Sequence, residues 1–312
     1  MRHVSGRQNP HRHASYRIKL WRRRRRAALR RIILLSFLAL FMLPVLTVPA
    51  VAAQTVGDLP AVTGLSSNNL QQDMLIYDRH GSLLADIGDQ GDHRIVVPLS
   101  YISTNVINAT IAVEDHTFYS NSGVDLGGTL RAAIADYTGH GIKQGGSTIS
   151  QQLVKQVFIG PHPDNTLQRK LKEAVLALEV NRRYSKSEIL DMYLNTIFYG
   201  SQTYGIEAAA RTYFQSNAHD LTLAQASLLV GLPQAPTQYN PLVNLTAAKK
   251  RQLEVLNAMV ENKYITRAQA DAAYATKLTI YPATNHFQSP HFLDSVLQTL
   301  RTQFPTHPTH RT

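Results

Sequence analysis

The chain has 312 residues, 44% of them hydrophobic, which is enough for a sizeable core and excludes a wholly disordered protein. It has no cysteine, so disulfide frameworks, thiolate metal sites and thiol nucleophiles are excluded. The formal net charge is +11, and much of the excess lies at the N-terminus, where Arg22 to Arg26 are consecutive arginines with Arg30 and Arg31 close behind.

Residues 1–31 are basic and histidine-rich without apolar periodicity, and read as a cytoplasmic tail. A basic run of this kind admits a nucleic-acid reading, but the charge-free stretch that begins at Ile32 abuts it and favours a membrane. Residues 32–53 are long enough to cross a hydrocarbon core of about 30 Å, Pro44 and Pro49 notwithstanding. With the arginines before this span, the positive-inside rule predicts a single-pass plasma-membrane protein. Its N-terminus would be cytoplasmic and its main domain extracytoplasmic. Ala50-Val51-Ala52 resembles a signal-peptidase site, so a cleaved signal peptide competes; the length of the basic region favours a retained anchor.

Residues 54–72 are polar with Gly and Pro and read as a linker. Met74 to Tyr77 and Leu83 to Ile87 flank Asp78-Arg79-His80-Gly81, the pattern of a β-hairpin. Arg94 to Leu99 is a further short β-branched run, so a small β element leads into the main domain, residues 73–300. From Tyr101 onward the pattern is helical. Thr148-x-x-Gln151, Ser185-x-x-Glu188, Thr222-x-x-Gln225 and Thr266-x-x-Gln269 all have the capping-box form. Apolar stripes follow at Leu167, Leu171, Ala174, Val175 and Leu178, and at Ile189, Leu190, Tyr193 and Leu194. The run from Leu221 to Val230 is expected to stop at Gly231, with Pro233 behind it. Residues 301–312 read as a fraying tail.

Four patches could carry chemistry. The first is Glu114-Asp115 with Phe118 and Gly123: carboxylates at the end of an apolar helix, beside aromatic walls that could raise a carboxylate pKa toward that of a general base. The second runs from Gly145 to Lys155. It offers glycines for close approach, the hydroxyls of Ser147 and Thr148 at a helix start, and Gln151, Gln152 and Lys155 beyond. The third is Arg169-Lys170-Leu171-Lys172-Glu173, where helical spacing sets one carboxylate among cations. This is either a salt-bridged helix face or a place for a metal or phosphate. The fourth, Lys186 to Asn195, reads mainly as packing, with Asn195 as a polar contact. His162, His219, His286 and His291 have no metal-site spacing, and the Ser-x-x-Lys and Lys-Thr-Gly signatures of a penicillin-sensitive serine are absent.

In order and spacing, these patches resemble the peptidoglycan glycosyltransferases of family 51. Those are the transglycosylase domains of bifunctional penicillin-binding proteins and the monofunctional transglycosylases. Glu114, Asp115, Phe118 and Gly123 match the first family motif, and Gly146 to Lys155 the second. Arg169, Lys170 and Glu173 match the third, and Ile189, Leu190, Tyr193, Leu194 and Asn195 the fourth. Tyr213-Phe214, Gly231-Leu232-Pro233 and Asn240-Pro241 extend the likeness. Asn121 stands where the family usually has histidine, Gln156 where it has asparagine, and Asp191 where it has glutamate. These departures are expected to tune activity rather than remove it. The chain ends where bifunctional relatives continue into a transpeptidase domain, so the expectation is a monofunctional or truncated protein.

The resemblance implies a mainly α, lysozyme-like, two-lobed helical domain that polymerises lipid II on the membrane, in cell-wall synthesis and with it cell shape. Glu114 would deprotonate the acceptor 4-hydroxyl, the anomeric carbon of the donor would invert, and undecaprenyl pyrophosphate would leave. Glu173 would hold a divalent cation, Mg or Mn, or position the pyrophosphate with Lys155, Arg169 and Lys170. Asp115, Phe118, Ser147, Thr148, Gln151, Gln152 and Asn195 would line the cleft. Lipid II, nascent glycan and cell-wall synthesis proteins would be the partners, and nucleic acid would not. Two alternatives stand beside this one: a lytic enzyme with Glu114 as general acid, and a catalytically silent glycan-binding module on a membrane anchor.

Overall fold

The structure is a computed structural model that describes residues 62–67, 70, 72–81, 83–87, 92–125, 127–128, 146–160 and 166–282, with 296, 298–299 and 302–303 beyond them. All belong to one compact unit, Pro60–Thr312. The expected cytoplasmic tail, residues 1–31, and the expected anchor, residues 32–53, lie outside the described residues. Among the described residues, no helix is long and apolar enough to cross a membrane.

The hairpin read from the sequence is present. Strands β1 (Met74–Tyr77) and β2 (Leu83–Ile87) pair antiparallel, Met74 opposite Ile87, with a bulge at Ile76/Tyr77. The turn closes because the Asp78 carboxylate accepts from His80 N at 2.8 Å and the Asp78 carbonyl accepts from Gly81 N at 3.1 Å. The third run is shorter than expected. Strand β3 is only His93–Arg94 and pairs parallel with β4 (Thr203–Tyr204). Beyond it the backbone bonds to side chains: Val96 N donates to Gln72 Oε1 at 3.2 Å and Val97 N to Asn195 Oδ1 at 3.0 Å. Pro98 then has no N–H to offer a ladder. Part of the stretch read as linker is packed, too. Leu65 N donates to Tyr184 Oη at 3.0 Å and Ser67 Oγ to Asp191 Oδ2 at 2.6 Å, with Val62 buried.

Helices dominate from Thr104 onward: α1 (Thr104–Glu114), α2 (Ile149–Val154), α3 (Leu167–Arg183) and α4 (Lys186–Thr196), then α5 (Ile206–Phe214), α6 (Leu223–Gly231), α7 (Leu245–Glu261) and α8 (Arg267–Ala275). All four capping boxes form, at the starts of α2, α4, α6 and α8. Each satisfies two of the donors that a helix start leaves open. The core is built around α1, whose Val106, Ala109, Ile111 and Ala112 are buried against α6 and α7. Helix α8 closes that side with Ala270 and Ala273 against Ala224 and Leu256. On the other side α2 lies between α3 and α4. So α1 and α2, which carry the first two motifs, are interior elements rather than surface ones.

Helix α6 does end at Gly231, but for a different reason than a left-handed cap. Gly231 has ordinary helical angles (φ −73°, ψ −22°) and the chain continues into a 3₁₀ turn, Leu232–Gln234. A Cβ at Gly231 would sit 2.8 Å from Arg251 Cγ, so the glycine lets the Arg251 side chain of α7 pass close by.

Candidate active site

The site is organised by the geometry at the end of α1. Asp115 leaves the helical region (φ −160°, ψ 78°), which ends the helix on Glu114 and turns the Asp115 carboxylate inward. That carboxylate is buried and accepts from Asn121 Nδ2 at 2.9 and 3.0 Å, from Thr117 Oγ1 at 3.1 Å and from Ile149 N at 3.2 Å. Ile149 is the first residue of α2, so an anion sits on an open N–H of that helix start. Thr148 adds a second tie by donating Oγ1–H to Gly123 O at 2.6 Å. Gly123 itself is required: φ is +103°, and a Cβ there would lie 2.5 Å from Ala177 O. The first motif is thereby fastened to the second.

This fastening sets Gln152 of α2 against Glu114. Gln152 Nε2 donates to Glu114 Oε2 at 2.7 Å, and Tyr193 Oη of α4 donates to Gln152 Oε1 at 3.1 Å, which fixes the amide orientation. Arg251 Nη2 of α7 stands 3.9 Å from Glu114 Oε1. Glu114 Oε1 is buried and has no hydrogen-bond partner among the described residues. Burial pushes the Glu114 pKa above the ordinary glutamate value. The Gln152 hydrogen bond and the Arg251 charge pull it back, while Asp115 adds to the rise. One oxygen is held and the other is bare, on a carboxyl group with raised proton affinity: that is the requirement for a general base.

The third motif forms a second centre on α3. Glu173 is 1% exposed, with Arg169 Nη1 bonded to Oε1 and Lys170 Nζ 2.9 Å from Oε2. Lys170 Nζ also donates to Ser147 Oγ at 3.2 Å, just before α2. Helix α2 therefore has the Glu114 centre at Gln152 and the cationic centre at the residue before its cap. Lys155 is exposed where α2 passes into a π-helical turn, Lys155–Ile159. Such turns recur at functional sites.

A divalent cation does not fit these residues by themselves. Each Glu173 oxygen already has a cationic partner, and among the described residues no three His, Asp or Glu side chains converge.

The sequence profile of the transglycosylase family matches residues 80–260, more than half of the chain and all of both centres. The chain belongs to that family. Penicillin-binding protein 1A of Aquifex aeolicus is 41% identical over 239 residues, 77% of this chain and 32% of that protein. Penicillin-binding protein 2D of Bacillus subtilis is 37% identical, covering 76% and 34%. Penicillin-binding protein 1A of Escherichia coli is 38% identical, covering 79% and 29%. The chain thus spans about a third of the length of these relatives. Among solved structures, penicillin-binding protein 1A from Haemophilus influenzae overlays 77% of this chain and 26% of its own at 25% identity, with a TM-score of 0.42.

Within the transglycosylase motifs the side chains divide by exposure. Ser147, Gln152, Lys155, Arg169 and Lys170 are exposed or half-buried. Asp115, Phe118, Thr148, Gln151 and Asn195 are buried, and the polar ones among them spend their hydrogen bonds inside the protein. Asn195 bonds both backbone groups of Val97, accepting at 3.0 Å and donating at 2.9 Å, and Phe118 lies under the Lys186 ammonium at 4.7 Å. Two residues of the Glu114 centre have roles that are not evident from the sequence. Tyr193 reads there as part of an apolar stripe and of the fourth motif, with no sign of its bond to Gln152. Arg251 closes a Lys-Lys-Arg run that looks solvated, yet its side chain is 6% exposed. Its signal is spacing, since Ala248, Gln252, Val255 and Met259 form the buried stripe of α7 and Arg251 lies on that face.

Proposed function

We propose that this transglycosylase polymerises lipid II into glycan strands, with inversion at the anomeric carbon and release of undecaprenyl pyrophosphate. The observation that carries the reading is the Glu114 carboxylate, whose Oε2 is held by Gln152 while buried Oε1 has no hydrogen-bond partner among the described residues. The acceptor sugar 4-hydroxyl gives its proton to Oε1 as its oxygen attacks the donor anomeric carbon from the face opposite the pyrophosphate. The leaving pyrophosphate gathers negative charge, for which Lys155, Arg169 and Lys170 supply cations. The grouping of Arg169 and Lys170 around buried Glu173, with Lys170 reaching Ser147, supports that assignment, and Lys155 is exposed at the far end of α2. A divalent ion enters only as a companion of the pyrophosphate, whose own oxygens would supply ligands, and no step here runs through it.

The same reading includes the finer features: a lysozyme-like two-lobed fold, anchorage through residues 32–53 with the domain outside the cytoplasm, and cell-wall synthesis proteins as partners. The anchor places the enzyme where both lipid-linked substrates reside. A lytic enzyme also uses a carboxyl group of raised pKa, but it releases no pyrophosphate and has no use for the Arg169–Lys170–Glu173 centre.

The test is polymerisation of labelled lipid II by the full chain in detergent with Mg²⁺, wild type beside Glu114→Gln. Long polymer from the wild type and almost none from the variant supports the proposal. Degradation of finished glycan by the wild type would leave the lytic enzyme, and binding without either reaction would leave a silent module.

A further inference from the structure

Lys186 opens α4, where a cation opposes the positive end of the helix dipole, so its place there is not explained by the helix it begins. Its side chain is half-buried, and the ammonium sits in a nest of oxygens. Nζ donates to Asn121 O at 2.8 Å, Asn121 Oδ1 at 3.2 Å and Asn181 Oδ1 at 2.6 Å, and it lies 4.7 Å from the Phe118 ring centroid. Burial lowers its pKa, with the Asp115 charge opposing that shift.

Both asparagines lead to the start of α2. Asn121 Oδ1 accepts from Lys186 and from Gly123 N at 2.9 Å, so its amide must present Nδ2 to both oxygens of Asp115. Asp115 in turn accepts from Ile149 N. Asn181, held by Lys186 through Oδ1, donates Nδ2–H to Ser150 Oγ at 2.5 Å. Two routes therefore run from one ammonium to the first two residues of α2, and α2 carries Gln152 to Glu114. An imidazole at position 121 could give Asp115 a ring N–H with no amide orientation to set. With asparagine there, the orientation has to be imposed, and Lys186 shares that task with Gly123 N.

We infer that Lys186 is a positioning residue for the reaction: by orienting the Asn121 and Asn181 amides it fixes the register of α2 and so the contact of Gln152 with Glu114. This rests on the transferase reading above. It acts through other side chains and touches no reacting atom.

The experiment compares full-chain wild type, Lys186→Met, Lys186→Arg and Lys186→Met/Asn121→His, measuring kcat and KM for lipid II, thermal melting, and the Asn121 side-chain amide signals by NMR. For Lys186→Met, kcat falls about tenfold to a hundredfold with KM within about twofold, the size expected when a catalytic contact is slightly misplaced. Asn121→His restores most of that loss, and Lys186→Arg, a planar fork in a nest built for a point charge, falls between. Activity that drops only in proportion to the melted fraction, or histidine that gives no rescue, overturns the inference. If Lys186→Met does not fold, Lys186→Arg decides, and wild-type kcat in that variant overturns it. A wild type that makes no polymer sinks the transferase reading instead. The amide signals then judge Lys186 alone: slow hydrogen exchange at Asn121 Nδ2 in wild type, lost in the variant, supports the lock, and unchanged exchange refutes it.

Discussion

Glu114 shows how one carboxylate is prepared by three neighbours that lie far apart in the chain. Gln152 occupies one oxygen, Tyr193 holds Gln152, and Arg251 limits the pKa rise that burial causes. None of this is written locally. A glutamate at a helix end is legible in sequence, but its link to residues 38, 79 and 137 positions later is a product of tertiary structure: the end of α1 meets Gln152 of α2 and Arg251 of α7, and Tyr193 of α4 joins through Gln152. Because the folded-state pKa is raised, the neutral form is favoured in the fold. The associated stability is full below the unfolded pKa and is lost as pH rises through the folded one. Glu114→Gln should thus lower polymerisation by about 10²- to 10⁴-fold while raising Tm at neutral pH, an advantage that disappears in acid. A neutral-pH Tm below wild type would contradict this account of the site. Arg251→Met removes the cation that lowers the Glu114 pKa. The acid limb of the kcat/KM profile should move to higher pH, and a limb that stays put would show that Arg251 does not tune the base.

The elements were legible where their signals were local. Four capping boxes formed because each needs only two side chains three residues apart. The hairpin formed because its turn chemistry lies between its strands. Strand β3 came out shorter than its β-branched run suggested because the partner of Val97 is a side chain, Asn195, 98 positions away. Gly231 was legible as a boundary but not as a contact, and the contact makes a prediction that couples two helices. Adding a methyl at Gly231 pushes on Arg251 Cγ, 2.8 Å from the ideal Cβ, in a crowded α6–α7 seam. Gly231→Ala should cost about 1–3 kcal/mol of stability, read by denaturant melts. It should also shift the acid limb in the same direction as Arg251→Met, because the guanidinium is displaced from Glu114. A stability loss with an unmoved pH profile would mean that the seam yields elsewhere and the guanidinium stays.

At the scale of the whole molecule, the reading depends on which side of a membrane the Glu114 centre faces. A lipid-linked disaccharide presented outside the cytoplasm is of no use to a domain within it. The proposed anchor, residues 32–53, is preceded by Arg22 to Arg26, Arg30 and Arg31, a charge bias of the kind that holds an N-terminus inside. The absence of cysteine makes the orientation directly measurable, since any thiol introduced is the only one present. Ser5→Cys marks the tail, and Thr63→Cys marks an exposed position ahead of the hairpin. In intact cells whose envelope admits the reagent, a membrane-impermeant maleimide should label Thr63→Cys. It should reach Ser5→Cys only after lysis. If the span is cleaved rather than retained, the Ser5 label will be missing from the mature protein even after lysis, while Thr63→Cys still labels. Labelling of Ser5→Cys and not Thr63→Cys in intact cells would invert the topology. It would separate Glu114 from lipid II on the outer face, and the transferase proposal would fall with the orientation on which it depends.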